Sequence, residues 1–198
     1  MSTKEKILET ALTLFAQNGY NGTSMEQIAQ DVGIKAPSLY KHFKGKEDIL
    51  NSLIDISEAH YEENFGSDRN IGEIPDSIEN FIHETLEKVR FTMTDPLIRK
   101  MRIFLVQEQF RNERLAEITT RHHIDGVQRM YQSIIEGMMQ KGLLAKGNSS
   151  LLALEITAPV ALLISKVDRQ PNSKKESLEI IRKHLQHFFE TYKNNGNE

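Results

Sequence analysis

The fold turns on residues 24–46: Ser24-Met25-Glu26-Gln27-Ile28-Ala29-Gln30-Asp31-Val32-Gly33-Ile34-Lys35-Ala36-Pro37-Ser38-Leu39-Tyr40-Lys41-His42-Phe43-Lys44-Gly45-Lys46. Ser24 and Gln27 stand at capping-box spacing, where each side chain satisfies the other residue's backbone N–H, so a helix is expected to start there. Gly33 soon follows and can take the positive φ of a sharp turn. A second helix is expected beyond it. Pro37 fits its first turn, where no intrahelical N–H bond is lost, and its end is expected between His42 and Lys44, ahead of Gly45. Ala29 is small where two helices would cross closely, and Ile28, Ile34 and Leu39 supply apolar anchors on the inner sides. This register is that of a helix-turn-helix.

The second helix of the pair then presents Lys35, Ser38, Tyr40 and Lys41 outward. Between residues 35 and 46 stand Lys35, Lys41, Lys44 and Lys46 with no acidic residue, and His42 lies among them. Lys and Tyr can bond phosphate oxygens, while Ser38, the Ala36 and Pro37 surfaces and the Tyr40 ring suit base edges and thymine methyls. An ordinary helical hairpin with a solvated basic face would carry similar charges. The joint register of small residue, glycine and apolar anchors favours double-stranded DNA as the partner.

Working outward, nearly every other segment also reads at helical period. Ile7, Leu8, Ala11, Leu12 and Phe15 form one stripe, closed by Gly19 as an αL cap. Further helices are expected from Lys46, after Pro75, from Pro96, from Glu113 to Lys141, after Ser149 and after Ser173, with residues 66–72 as a loop. No alternating β-branched run is long enough for a strand. The expectation is an all-α chain of about nine helices.

Composition bounds the function. The 198 residues carry 25 Lys+Arg against 28 Asp+Glu, a net charge of −3, with pI near 6.2, which argues against indiscriminate coating of nucleic acid. Absence of cysteine excludes disulfides, thiolate catalysis, iron–sulfur clusters and Cys-ligated zinc. The first residues lack the apolar run of a signal peptide. The apolar stretch Leu151 to Ile164 is interrupted by Glu155 and Pro159 and falls short of the roughly 20 residues that span a bilayer. A cytoplasmic protein without a membrane partner is expected.

Residues from about 5 to 55 resemble the N-terminal DNA-binding domain of TetR-type transcriptional regulators. The resemblance rests on Ile7-Leu8-Glu9-Thr10-Ala11, Leu14-Phe15, Gly19-Tyr20, Gly22-Thr23-Ser24-Met25, Ile28-Ala29, Val32-Gly33-Ile34 and the run from Ser38 to Leu50. It implies a three-helix head over residues 1–46 and a helical effector-binding and dimerisation body over 47–198. It further implies a homodimer that binds a palindromic operator, represses by family default, and is released by a small-molecule effector. On matching positions, Lys35, Ala36, Pro37, Ser38, Tyr40 and Lys41 would lie on the recognition helix. Thr23, Ser24 and Met25 would touch DNA from the helix before it, and His42 and Lys46 would hold phosphates. Met25 and Ala36 stand where some members place polar base-readers, which shifts weight toward van der Waals contact and DNA shape.

For the body, the layout resembles the family in placing two apolar helices last. Leu152, Ile156, Val160, Leu163, Leu178, Ile181, Leu185 and Phe188 are the expected seam of a four-helix dimer bundle, intramolecular core being the other role open to them. Met101, Phe104, His122, Met130 and Tyr131 read either as plain core or as the lining of an adaptable apolar pocket for a hydrophobic or amphipathic effector.

Enzyme readings fail on partners. Ser38-Leu39-Tyr40-Lys41 matches S-x-x-K, but S-D-N and K-T-G are missing. No P-loop, G-x-G-x-x-G, G-x-S-x-G or H-E-x-x-H occurs. His184 with His187, His122 with His123, and His83 with Glu87 are pairs, and two ligands do not make a metal site. No cofactor, metal or catalytic residue is expected. A DNA-binding protein of purely architectural function is the remaining rival, and it leaves the body without a task.

Overall fold

The computed structural model describes residues 1–65 and 72–194, so the expected loop at 66–72 lies almost wholly outside the described residues. The helices are α1 (Thr3–Asn18), α2 (Met25–Val32), α3 (Ala36–Tyr40), α4 (Lys46–Phe65), α5 (Ile78–Thr94), α6 (Pro96–Glu108), α7 (Glu113–Thr120), α8 (Gly126–Gln140), α9 (Ser149–Arg169) and α10 (Lys174–Tyr192). A π-helical turn, Arg121–Asp125, joins α7 to α8 without a break. The expected single helix from Glu113 is therefore one rod with a bulge, and nine rods make up the described residues. The only pairing of β type among them is one isolated bridge, Leu144 with Lys193.

Packing divides the chain into two compact units. The first holds Met1–Glu63 and Pro96–Thr119, the second Asn64–Asp95 and Thr120–Glu198. This division differs from one at 46/47 because α4, α6 and α7 join α1–α3 around a shared core. Ile7, Phe15, Ile28, Leu39 and Ile49 need cover from beyond the first three helices, and Met101, Phe104 and Leu115 supply it. Phe15 stacks on Phe104 with ring centroids 5.5 Å apart. Each such buried side chain removes apolar area worth roughly 1.5–3 kcal/mol.

Gly19 ends α1 at φ 77° and ψ 167°. The φ is positive as expected, but the ψ is extended rather than αL. Its N–H still donates to the Phe15 carbonyl at 3.0 Å.

The second unit packs α5, α8, α9 and α10 around Phe81, Ile135, Met138, Ile156, Ile181, Leu185 and Phe189. Phe81 meets Phe189 and Tyr131 edge-on, at 5.1 and 6.0 Å. The hydroxyl of Ser177, fully buried in α10, has no hydrogen-bond partner among the described residues.

Of the two roles open to the expected dimer seam, the chain shows intramolecular packing. Leu152, Ile156, Leu163, Ile181, Leu185 and Phe188 are buried inside the chain itself, and Val160 and Leu178 are half-buried against the same core. The exposed apolar face of α9 is instead Leu151, Leu154 and Leu162, the last 70% exposed, with Ile180 exposed on α10. At 3.6 residues per turn, the Leu151/Leu154/Leu162 stripe lies about 130° around the helix from the Leu152/Ile156/Leu163 stripe. A helix apolar on both faces gives no periodicity that says which face its own core takes.

Candidate DNA-binding surface

The rigid base of the surface is α2. Ser24 caps it, its hydroxyl accepting from Gln27 N–H at 3.2 Å while Gln27 Oε1 accepts from Ser24 N–H at 2.7 Å. Gly33 closes it in the αL region, φ 79° and ψ 31°, and Ile34 N–H then bonds the Ala29 carbonyl at 2.9 Å. Ile28 and Ala29 are buried beneath the turn.

α3 is a single short turn of helix ending at Tyr40, earlier than the expected His42 to Lys44. The chain continues as a turn in which the Leu39 carbonyl accepts from both His42 and Phe43 N–H, at 2.9 and 3.0 Å. Leu39 and Phe43 are buried, which turns the other side of the segment outward. Lys35, Pro37, Tyr40, Lys41, His42 and Lys44 are exposed, Tyr40 at 49%, and Ala36 and Ser38 are half-buried. Side chains of phosphate-binding and base-contacting type thus share one solvent-facing surface.

Three expected contacts sit differently. Thr23 is 1% exposed and its hydroxyl donates to the Gly19 carbonyl at 3.0 Å, so it braces the α1–α2 turn. Met25 is buried in the head's core. Of that trio only Ser24 reaches the surface, half-buried, because Thr23 is tied back to the α1 end and Met25 packs with Ile28 and Ala29 in the core. Lys46 is half-buried. Its Nζ donates to the Tyr20 carbonyl at 2.8 Å and lies 4.7 Å from the Tyr20 ring centroid. Two ammonium donors are left for a phosphate.

Two cations escaped the sequence reading. Lys4 of α1 places its ammonium 5.6 Å from the Phe43 ring centroid, within cation–π range. Arg114 of α7 donates from Nη1 to Glu47 Oε1 at 2.7 Å and from Nη2 to Asn51 Oδ1. Burial raises the pKa of the Tyr20 hydroxyl, the Glu47 carboxylate raises it further, and the Arg114 guanidinium partly offsets both. No local spacing signals either contact, since each joins distant parts of the chain.

The expected effector set is not one cluster. Met101 and Phe104 belong to the core of the first unit, Met130 and Tyr131 to that of the second, and His122 is half-buried in the π-helical turn. Helical spacing marked each as inward but could not say into which core. Tyr131 donates from its hydroxyl to Thr85 Oγ1 at 3.4 Å. An open depression of about 190 Å³ between α5 and α10 is lined by Leu86, Arg90, Lys175, Leu178, Glu179 and Arg182, none of them in that set.

A capped short helix, a glycine turn and an exposed basic second helix define a helix-turn-helix DNA-binding protein. Residues 7–53 match the family model described as bacterial regulatory proteins, tetR family. Residues 7–53 thus carry a TetR-type DNA-binding domain. The chain's relatives are regulators rather than enzymes.

It is 28% identical over 125 residues to the biofilm operon icaADBC negative transcriptional regulator IcaR of Staphylococcus epidermidis, covering 48% of this chain and 68% of that protein. With IcaR of Staphylococcus aureus strain Newman it shares 50% identity over 51 residues, 26% of this chain and only 27% of the relative. The fold matches that of a SmeT–triclosan complex with a TM-score of 0.75 and 18% identity, over 99% of this chain and 94% of that one.

Proposed function

We propose that the chain is a cytoplasmic, ligand-responsive repressor that binds a palindromic operator as a homodimer and is released by a small hydrophobic or amphipathic effector. The observation that carries the reading is the division of α3 and its turn, with Leu39 and Phe43 inward and Lys35, Pro37, Tyr40, Lys41 and His42 outward. In the complex, Ala36, Pro37, Ser38 and Tyr40 face the bases, while Lys35, Lys41, His42, Lys46 and Ser24 hold the backbone. Repression is supported by the negative regulators among the relatives.

Dimerisation is supported by Leu151, Leu154, Leu162 and Ile180, an exposed apolar face on the last two helices. Mean hydropathy in α9 reaches 1.7, although most of that stretch is unburied within the chain. Covering each leucine would contribute roughly 1.5–3 kcal/mol. An isologous pair would set two recognition helices about 34–36 Å apart, one turn of B-DNA. Effector binding draws support from the aromatic and methionine-rich body around Phe81, Met93, Met130, Tyr131 and Met138. The triclosan held by the SmeT fold is of the chemistry such a lining accepts. To release DNA, the effector must favour the non-binding state by about 1–3 kcal/mol or more.

The test is selection of a binding duplex from random DNA by the full chain, followed by titration against salt. With about four phosphates neutralised per protomer, the log–log slope should be roughly −7. Tyr40→Ala and Lys41→Ala should each weaken binding at unchanged melting temperature. Unchanged affinity in both overturns the assignment of the surface.

A further inference from the structure

The first turn of α4 carries a conflict of charge. Lys46 opens the helix directly after the recognition segment, yet Glu47 and Asp48 come next. Carboxylates suit a helix N-terminus through the dipole, but beside a phosphate backbone they repel. The structure engages both. Asp48 Oδ2 accepts from Lys44 N–H at 3.0 Å, and Glu47 Oε1 accepts from Arg114 at 2.7 Å. The second Arg114 nitrogen bonds Asn51 Oδ1, one helical turn beyond Glu47. A planar guanidinium that bridges two side chains on one helix face restrains that face's rotation as well as its charge. On the same turn, Lys46 is anchored to Tyr20 through the carbonyl bond and the ring contact.

We propose that Arg114 is a positioning residue for DNA binding: from α7 it clamps the first turn of α4, holds the Lys46–Tyr20 pair in register, and neutralises Glu47 near the phosphate path. It touches no DNA itself. Both Arg114 and Glu47 keep substantial exposure, so the pair adds little to folding stability, and its effect falls on the orientation and charge of the head. Two heads engage one operator, so a small loss per head compounds to about a tenfold rise in operator Kd.

The inference rests on the DNA-binding reading above, and the experiment separates the two. The probe is the duplex selected by the wild-type chain. Failure of the wild type to select any duplex would sink the DNA-binding reading. Given wild-type binding, Arg114→Ala and Arg114→Glu should raise Kd about tenfold or more with little change in melting temperature. The charge swap Arg114→Glu with Glu47→Arg should restore most of the affinity, which a generic structural defect would not allow. Arg90→Ala breaks a comparably exposed ion pair of the body, Arg90–Glu87 at 2.8 Å on α5, and should leave Kd unchanged. Wild-type affinity in Arg114→Ala, or a swap no better than Arg114→Glu alone, overturns the proposal.

Discussion

His184 Nε2 lies 2.9 Å from the carbonyl oxygen of Glu155, the one acceptor in α9 that Pro159 leaves without its helical donor. A proline inside a helix has no N–H for the carbonyl four residues back. The imidazole of α10 supplies the missing donor with its proton on Nε2, and so ties the two last helices at the interruption. His184→Ala should cost about 1 kcal/mol of stability. In a Pro159→Ala background, where the new N–H can satisfy Glu155, the same substitution should cost distinctly less. Urea unfolding of the four proteins checks this as a double-mutant cycle, and simple additivity would refute it.

Gly19 and Gly33 both have positive φ but differ in surroundings. A Cβ at Gly19 would lie 2.7 Å from Glu108 Oε1, whereas a Cβ at Gly33 would meet open space. Gly19 also holds an extended ψ in a region essentially closed to other residues. Gly19→Ala should therefore destabilise by about 2–4 kcal/mol, against about 1–2 kcal/mol for Gly33→Ala, which pays only the αL penalty. Thermal denaturation of the two variants should rank them in that order.

Leu162 and Leu185 separate association from folding. Leu185 is fully buried, so Leu185→Ala should cost about 2–5 kcal/mol. Leu162→Glu should leave far-UV circular dichroism intact while shifting sedimentation at micromolar concentration from dimer to monomer. A Leu162→Glu protein that still sediments as the wild type would remove the outer face of α9 from the interface.

The Tyr20 hydroxyl predicts behaviour at alkaline pH. Its folded pKa is raised, chiefly by burial and then by Glu47. The unfolded chain therefore loses this proton first, near pH 10. The resulting stability is present below that pH and is lost as pH rises through the higher folded value. Tyr20→Phe should lack this loss. Glu47→Gln should lower the Tyr20 midpoint and Arg114→Ala should raise it, read as the absorbance change at 295 nm relative to Tyr20→Phe. Midpoints unmoved by either substitution would contradict the geometry.

The helix-turn-helix was legible in residues 24–46 because its determinants are local. A capping box acts across three residues, Gly33 answers to its own φ, and the alternation of Leu39 and Phe43 with Lys35, Tyr40 and Lys41 sets the outward face by helical geometry alone. Helix limits elsewhere followed from the same short-range chemistry of caps, prolines and glycines. Tertiary structure decided what periodicity leaves open: that Thr23 and Met25 turn inward, that Met101 and Met130 enter different cores, that α9 gives its Ile156 face to its own unit and leaves the Leu162 face bare, and that Arg114 reaches Glu47. An apolar stripe records that a face will be buried. Which surface buries it depends on contacts between residues far apart in the chain, and no spacing along the sequence encodes those.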